Sequence, residues 1–143
     1  MKILLIVPTL NSFQLLPKLV NSLINQTFKS WRVIFVDGNS SVSHKKWLEN
    51  LCQRENNFEW VEQKDSFGIY GAMNQGLEKA LDDEWVLFWG SDDWCPANNT
   101  FEILVKKIHE FLKNTNNINF VICKGTYINP KSNKHGRVSS FLN

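Results

Sequence analysis

Cysteine is scarce in this chain, and what there is forms no pair. Cys52, Cys95 and Cys123 are odd in number and far apart, with no CxxC among them. This argues against both a disulfide framework and a zinc site, and reduced thiols in a cytoplasmic compartment are the expectation. Long apolar runs are missing too. The N-terminal MKILLIVPTLNS opens like a secretory leader, yet its apolar run stops at Val7 before Pro8 and no small-residue cleavage site follows. A first β-strand explains it better. Nothing approaches the roughly 20 apolar residues of a membrane-spanning helix. Charge of one sign is lacking as well. Lys+Arg number 16 and Asp+Glu 14, a formal net charge of +2. No basic cluster exceeds the pairs Lys45-Lys46 and Lys106-Lys107, so no nucleic-acid partner is expected.

Several glycine signatures are absent. There is no G-x-x-x-x-G-K-[ST], no G-x-G-x-x-G after the first apolar run and no G-x-S-x-G. A P-loop, a dinucleotide fingerprint and a hydrolase elbow are therefore unsupported. His44, His109 and His135 are not spaced as metal ligands and read as surface or helix-end histidines.

What is present is an ordinary globular composition, 43% apolar and 21% charged over 143 residues, enough for one domain with a real core. Residues 129–143 read as a polar, turn-rich tail. Ile3–Val7 is a β-branched-rich run of the kind buried on both faces of a parallel sheet. Leu15, Leu16, Leu19, Val20, Leu23 and Ile24 then recur at helical spacing, with Ser12 as a candidate cap. Trp31–Val36, Phe58–Gln63 and Trp85–Trp89 read as further strands, and 120–123 as a fifth that could reach Ile128. Residues 43–55, 69–81 and 101–112 read as helices. Ala72, Met73, Leu77 and Ala80 would share the inner face of the middle one. Ile103, Leu104, Ile108, Phe111 and Leu112 would share that of the last. Alternation of this kind predicts a three-layer α/β/α sandwich with a mostly parallel central sheet. Ligands of such sheets bind beyond the carboxyl ends of the strands.

Three strand ends carry small polar or acidic residues: Pro8-Thr9-Leu10-Asn11, Asp37-Gly38 and Ser91-Asp92-Asp93. The last lies in FWGSDDWC, where two adjacent carboxylates follow an apolar run that reads as buried. Such a pair is costly unless something positive neutralises it, and oxygen ligation suits Mg²⁺ or Mn²⁺. Equally, either Asp92 or Asp93 could cap a helix start ahead of Pro96. Asp37 could accept hydrogen bonds from a ribose or a base, or simply form a turn with Gly38. Gly68 could allow close backbone approach to a ligand, or mark a plain loop-to-helix junction.

In combination these stretches are more specific. VPTLN, VDGNSS, KDSFGIYGAMNQGLEKA and WVLFWGSDDW occur in that order. The chain from Met1 to about Ile128 resembles the family 2 glycosyltransferases of the GT-A fold, of the bacterial polysaccharide-assembly type. Members typically show Asp-x-Gly-Ile-Tyr-Asp-Ala-Met-Asn-Lys-Gly, then an apolar strand and Ser-Asp-Asp. Here one extra residue lies between Asp65 and Gly68, and Gly71 and Gln75 stand for the usual Asp and Lys. The resemblance implies a nucleotide-diphosphate sugar donor, a saccharide or lipid-linked acceptor, and metal-assisted, inverting transfer. It also implies a cytoplasmic site of action, which could include the inner face of the membrane through peripheral association, and it leaves room for a homo-oligomer. Pro8, Thr9 and Asn11 would line the nucleotide pocket, and Asp37 would contact the base or ribose. Lys64 and Asp65 would lie beside the base and diphosphate, with Asn74 on the helix behind them, and Gly68 counts among the substrate-binding residues through close backbone approach. Asp92 would contact the ribose and Asp93 hold Mg²⁺ or Mn²⁺.

The general base that such a transfer needs is not evident. After Asp93 the acids are Glu102 and Glu110, both on the predicted helix, and His135 is a weak candidate. The chain reads as the nucleotide-sugar half of a transferase, truncated or naturally reduced. Two alternatives are a non-catalytic nucleotide-sugar-binding module and a phospho-receiver-like regulatory domain. The latter wants its acidic pair after the first strand, where Pro-Thr-Leu-Asn stands instead.

Overall fold

Five consecutive apolar side chains, Ile3 to Val7, are each no more than 1% exposed. They form the centre of β1 (Lys2–Thr9), and a strand buried on both faces needs a sheet around it and cover above and below. The computed structural model supplies both. It describes residues 1–64, 68–114, 121, 126–128 and 135–138. β1 is followed by α1 (Leu16–Ile24), β2 (Trp31–Asp37), α2 (Val42–Arg54), β3 (Phe58–Glu62), α3 (Gly68–Leu77), β4 (Glu84–Phe88), α4 (Thr100–Asn114), β5 (Thr126–Ile128) and β6 (His135–Val138). The chain falls into two compact units, Met1–Val105 and Lys106–Asn143.

In the first unit four strands pair in the order β3-β2-β1-β4, and every pairing is parallel. The chain therefore builds outward from β1 to β3, then crosses back to place β4 on the other side of β1. Right-handed crossovers oblige the connecting helices to change face when the direction of building reverses. The two cores show this. One face of the sheet (Ile3, Leu5, Val7, Val33, Phe35) packs Leu16, Leu19 and Leu23 of α1, Leu48 and Leu51 of α2, and Phe101 and Val105 of α4. The opposite face (Leu4, Ile6, Ile34, Val36) packs Ala72 of α3. Three layers with a parallel sheet were the expectation, and they are found.

α3 comes unusually close to the sheet. A Cβ on Gly76 would collide with the Ile6 side chain, so glycine here is what lets the helix settle onto β1. At the other end of the strands Arg32 bridges three elements. Its guanidinium donates to both Glu84 oxygens at 2.6 and 2.8 Å and to Glu59 at 2.6 Å. Glu84 is 2% exposed in its side chain, and the hydrogen bonds from Arg32 hold its pKa below the usual glutamate range.

Several expectations need correcting. Ser12 does not cap α1. Leu15 occupies the cap position without a side-chain bond, and the Ser12 hydroxyl is engaged by Thr9 instead. Nor does either carboxylate of FWGSDDWC cap α4, which starts only at Thr100. Its first turn is served by the buried Gln26, whose Oε1 accepts from Phe101 N at 3.0 Å while its Nε2 donates to Ala97 O at 2.8 Å. α3 ends at Leu77, and Leu77 is exposed along with Ile103 and Phe111. The apolar run ahead of FWGSDDWC is not deeply buried. β4 is the edge strand of the described sheet, and Phe88 is half exposed.

The second unit contains the antiparallel pair β5–β6. The sequence reading gave its tail no element before Phe141, so β6 was missed. The expected strand at 120–123 lies outside the described residues apart from Val121.

Candidate active site

Pairing aligns the strand ends. Thr9 lies beside Asp37, and Asp37 beside Glu62. The order of building reverses between β1 and β4, and at such a switch point the flanking loops part and leave a crevice. A cleft of ≈ 460 Å³ opens there, within the usual range for a small-molecule site. Pro8 and Thr9 reach it from β1, Gly38 and Asn39 from the loop after β2, Gly68 and Ile69 from the start of α3, and Ser91 from the turn after β4. Gly68 has φ +63°, a left-handed conformation that a side chain disfavours, and an added Cβ would meet nothing within 4 Å. Its glycine is required by the backbone and leaves the cleft open.

The floor holds a buried polar chain. Asp37 and His44 are both fully buried. Asp37 Oδ2 accepts from Ser40 N at 2.9 Å, and Asp37 Oδ1 lies 3.3 Å from His44 Nε2. The same Nε2 is 2.9 Å from Thr9 Oγ1, which is 2.7 Å from Ser12 Oγ. Burial pushes the His44 pKa below its ordinary value, against the pull of Asp37 in the other direction. His44 was read as a surface or helix-end histidine; it does stand in the first turn of α2, but fully buried. The structure corrects the surface placement, and the signal that could have found the burial is its place on the inward side of α2, one turn ahead of Leu48.

Other expected residues are placed differently. Asn11 (φ 50°) does not line the cleft. Its N–H donates to Ser40 Oγ and its Oδ1 accepts from Ser41 N, both at 2.8 Å, so it staples the first loop to the second. Asp37 lies beneath the wall and not on it. Lys64 and Asn74 are exposed and outside the cleft lining. Asp65 lies outside the described residues. Gln75, which replaces a lysine of the expected pattern, has a structural task. It accepts from Lys64 N and donates to Glu62 O, each at 2.8 Å, pinning the chain as it leaves β3.

Asp92 and Asp93 are exposed on a turn closed by Asp93 N donating to Gly90 O at 3.1 Å. Asp93 Oδ2 accepts from Gly90 N at 3.2 Å. A Cβ on Gly90 would stand 2.7 Å from Asp93 Oδ2 and 2.9 Å from Asp92 Oδ1. Two carboxylate oxygens thus converge on space that only a glycine leaves free. Lys18 covers the next residue, its Nζ 3.1 Å from the Trp94 ring centroid, a cation–π contact that ties the turn to α1. No group of three or more His, Cys, Asp or Glu able to hold a metal exists among the described residues. The donor set fits a cation that takes one or two carboxylates and completes its shell with substrate oxygens, as Mg²⁺ does. It does not fit one enclosed by protein alone.

The family model described as Glycosyl transferase family 2 matches residues 4–140. The chain belongs to this family. Among its family 2 relatives, a Campylobacter jejuni GalNAc(5)-diNAcBac-PP-undecaprenol beta-1,3-glucosyltransferase is 37% identical over 76% of this chain and 35% of its own length. Glycosyltransferase GlyA of Streptococcus pneumoniae is 31% identical over 77% of this chain and 15% of its own. Residues 1–349 of Staphylococcus aureus TarS, crystallised with UDP, superpose with a TM-score of 0.67 at 30% identity, over 77% of this chain and 32% of that one. The chain therefore spans about a third or less of these glycosyltransferases. No helix among the described residues is long and apolar enough to cross a membrane.

Proposed function

We propose that the cleft at the β1/β4 switch point binds a nucleotide-diphosphate sugar, and that the chain serves glycosyl transfer from it to a saccharide or lipid-linked acceptor. The observation that carries the reading is positional. The cleft, the buried Thr9–His44–Asp37 group and the carboxylate turn all lie at the C-terminal ends of parallel strands, in a chain that superposes on TarS crystallised with UDP.

In this reading Pro8, Thr9 and Gly68 shape the nucleotide pocket. Asp37 acts from beneath, toward base or ribose, and Lys64 and Asp65 flank the diphosphate. Asp92 takes the ribose and Asp93 the metal, Mg²⁺ or Mn²⁺. Bound there, the ion would offset the charge of the departing diphosphate. Transfer would invert the sugar. The lipid-linked acceptor draws support from the name of the Campylobacter relative, and it would put the reaction at the cytoplasmic face of a membrane.

A second reading, that these residues hold the donor without themselves supplying a base for transfer, is favoured by the described acids that follow Asp93. Glu102 accepts from Thr27 Oγ1 at 2.7 Å, and Glu110 from Lys107 Nζ at 2.8 Å, so both carboxylates already have partners. The two readings part on acceptor-dependent release of nucleoside diphosphate, and the donor site itself is tested by Asp93→Asn. That variant should keep its fold and bind a UDP-sugar with no response to Mn²⁺. Retained Mn²⁺ dependence would reject Asp93 as the ligand.

A further inference from the structure

His44 has no task in the reading above, yet it is the most completely enclosed polar ring of the first unit. It lies on α2, fully buried, and touches both other elements of the cleft floor. Its Nε2 is 2.9 Å from Thr9 Oγ1 and 3.3 Å from Asp37 Oδ1. Its Nδ1 and Asp37 Oδ1 have no hydrogen-bond partner among the described residues, and the Phe13 and His44 ring centroids lie 6.2 Å apart at a steep angle. Asp37 is the charged group set against it. Lys45, the next residue on α2, reaches away to Glu62 at 2.7 Å and Asn39 at 3.4 Å.

These contacts choose a tautomer. With the proton on Nε2, the N–H is donated to Thr9 Oγ1, the polarised ring faces the Asp37 carboxylate, and only lone pairs are left unpartnered, at Nδ1 and at Asp37 Oδ1. With the proton on Nδ1, a buried N–H has no acceptor and the Nε2 lone pair faces Asp37 Oδ1 at 3.3 Å, which is the costlier arrangement. Thr9 lines the cleft, and Thr9 and Asp37 are paired across β1 and β2. The orientation of the Thr9 hydroxyl therefore depends on this proton, and the Asp37 carboxylate, held by Ser40 N, lies beside it.

We propose that His44 is a positioning residue for donor binding: neutral and protonated at Nε2, it fixes the Thr9 hydroxyl beside the Asp37 carboxylate at the floor of the nucleotide-sugar cleft. This rests on the donor-binding reading. It also makes affinity depend on pH. A second proton places an unpartnered N–H at Nδ1 and draws Asp37 toward the ring, so binding weakens with acid. Burial lowers the pKa from its ordinary 6.5, which puts the loss below that pH.

The experiment is calorimetric titration of the full chain with UDP-glucose, UDP-N-acetylglucosamine and GDP-mannose plus Mn²⁺, between pH 5 and 8, on wild type, His44→Met and His44→Gln. Circular dichroism checks that each variant is folded. His44→Met fills the space without a donor and should weaken binding about tenfold at pH 7.5. His44→Gln restores an N–H donor, should recover most of that loss, and should abolish the acid limb. A folded His44→Met that binds as tightly as wild type overturns the proposal and leaves donor binding standing. Absence of binding by wild type to every donor rejects the donor-binding reading, and the positioning role with it. Long-range ¹⁵N–¹H NMR of free wild type reads the tautomer without any donor. An Nδ1-protonated ring, or a charged one at pH 7.5, would also overturn the proposal.

Discussion

Replacing Gly90 by alanine should separate the placement of the two carboxylates from the stability of the fold. Among the described glycines only Gly68 has a positive φ, so the backbone at Gly90 accepts a side chain without strain. Alanine also restricts the unfolded chain, a gain of about 0.4–1 kcal/mol. Against this, the exposed bond from Gly90 N to Asp93 Oδ2, 3.2 Å long, would be disturbed at a cost of about 0.5–1.5 kcal/mol. Net stability should change by less than about 1 kcal/mol. The site should change far more. The new Cβ would stand 2.7 Å from Asp93 Oδ2 and 2.9 Å from Asp92 Oδ1. Each oxygen must then swing away by roughly half an ångström to regain ordinary van der Waals separation. Disturbing the groups that orient a metal ligand typically costs about 10–100-fold in metal affinity. Urea denaturation gives the first quantity, and Mn²⁺ titration in the presence of a UDP-sugar gives the second. Unchanged Mn²⁺ affinity in Gly90→Ala would refute the idea that this turn holds the ion. A loss of several kcal/mol in stability would refute the account of the turn itself.

Gly76→Ala tests the seat of α3. Alanine gains about 1 kcal/mol of helix propensity but overpacks against Ile6 at a cost of about 1–3 kcal/mol, so urea melts should show a net loss, and a stabilised variant would mean the helix has room to spare. Arg32→Met should destabilise the fold by about 2 kcal/mol at pH 7, because it strands the nearly buried Glu84, with the figure reduced because Arg32 itself is partly exposed. Glu84 has its pKa held below 4.5 by Arg32, so this contribution is present above that pH and fades as pH falls through the lowered value. The difference between wild type and Arg32→Met should therefore shrink in acid, and a gap that stays the same however far the pH is lowered would contradict the pairing. Burial pushes the thiols of Cys52 and Cys95 up to about 11, so neither should react with a disulfide reagent at pH 8 in the folded chain. Rapid labelling at either would show that its burial is wrong.

The layers and the order of elements were legible because their signals are local. An uninterrupted apolar run such as Ile3–Val7 has few alternatives to a central strand, and helical spacing in α1 and α2 points to one face. The strand-end rule then located the cleft before any side chain was placed. What failed depended on contacts between distant residues. Ser12 has the chemistry of a cap, but Thr9 competes for its hydroxyl. Asp92 and Asp93 precede a helix in sequence, yet Gln26, from the end of α1, supplies the acceptor for that helix. Asn11 reads as a pocket residue from its position, and only the approach of Ser40 and Ser41 shows that its amide is already engaged. His44 is the sharpest case. A lone histidine in a polar stretch has no pattern to declare it, and its burial follows from the approach of the first turn of α2 to Thr9 of β1 and Asp37 of β2. β6 went unseen because a four-residue strand in a polar segment exists only through its pairing with β5.

The central claim is that the cleft between β1 and β4 holds a nucleotide-diphosphate sugar with help from a divalent ion at Asp93. The most direct measurement is calorimetric titration of the chain with UDP-, GDP- and dTDP-sugars, with and without Mn²⁺. The account predicts saturable binding of at least one donor that strengthens when Mn²⁺ is present. Failure of every donor to bind under both conditions would contradict it.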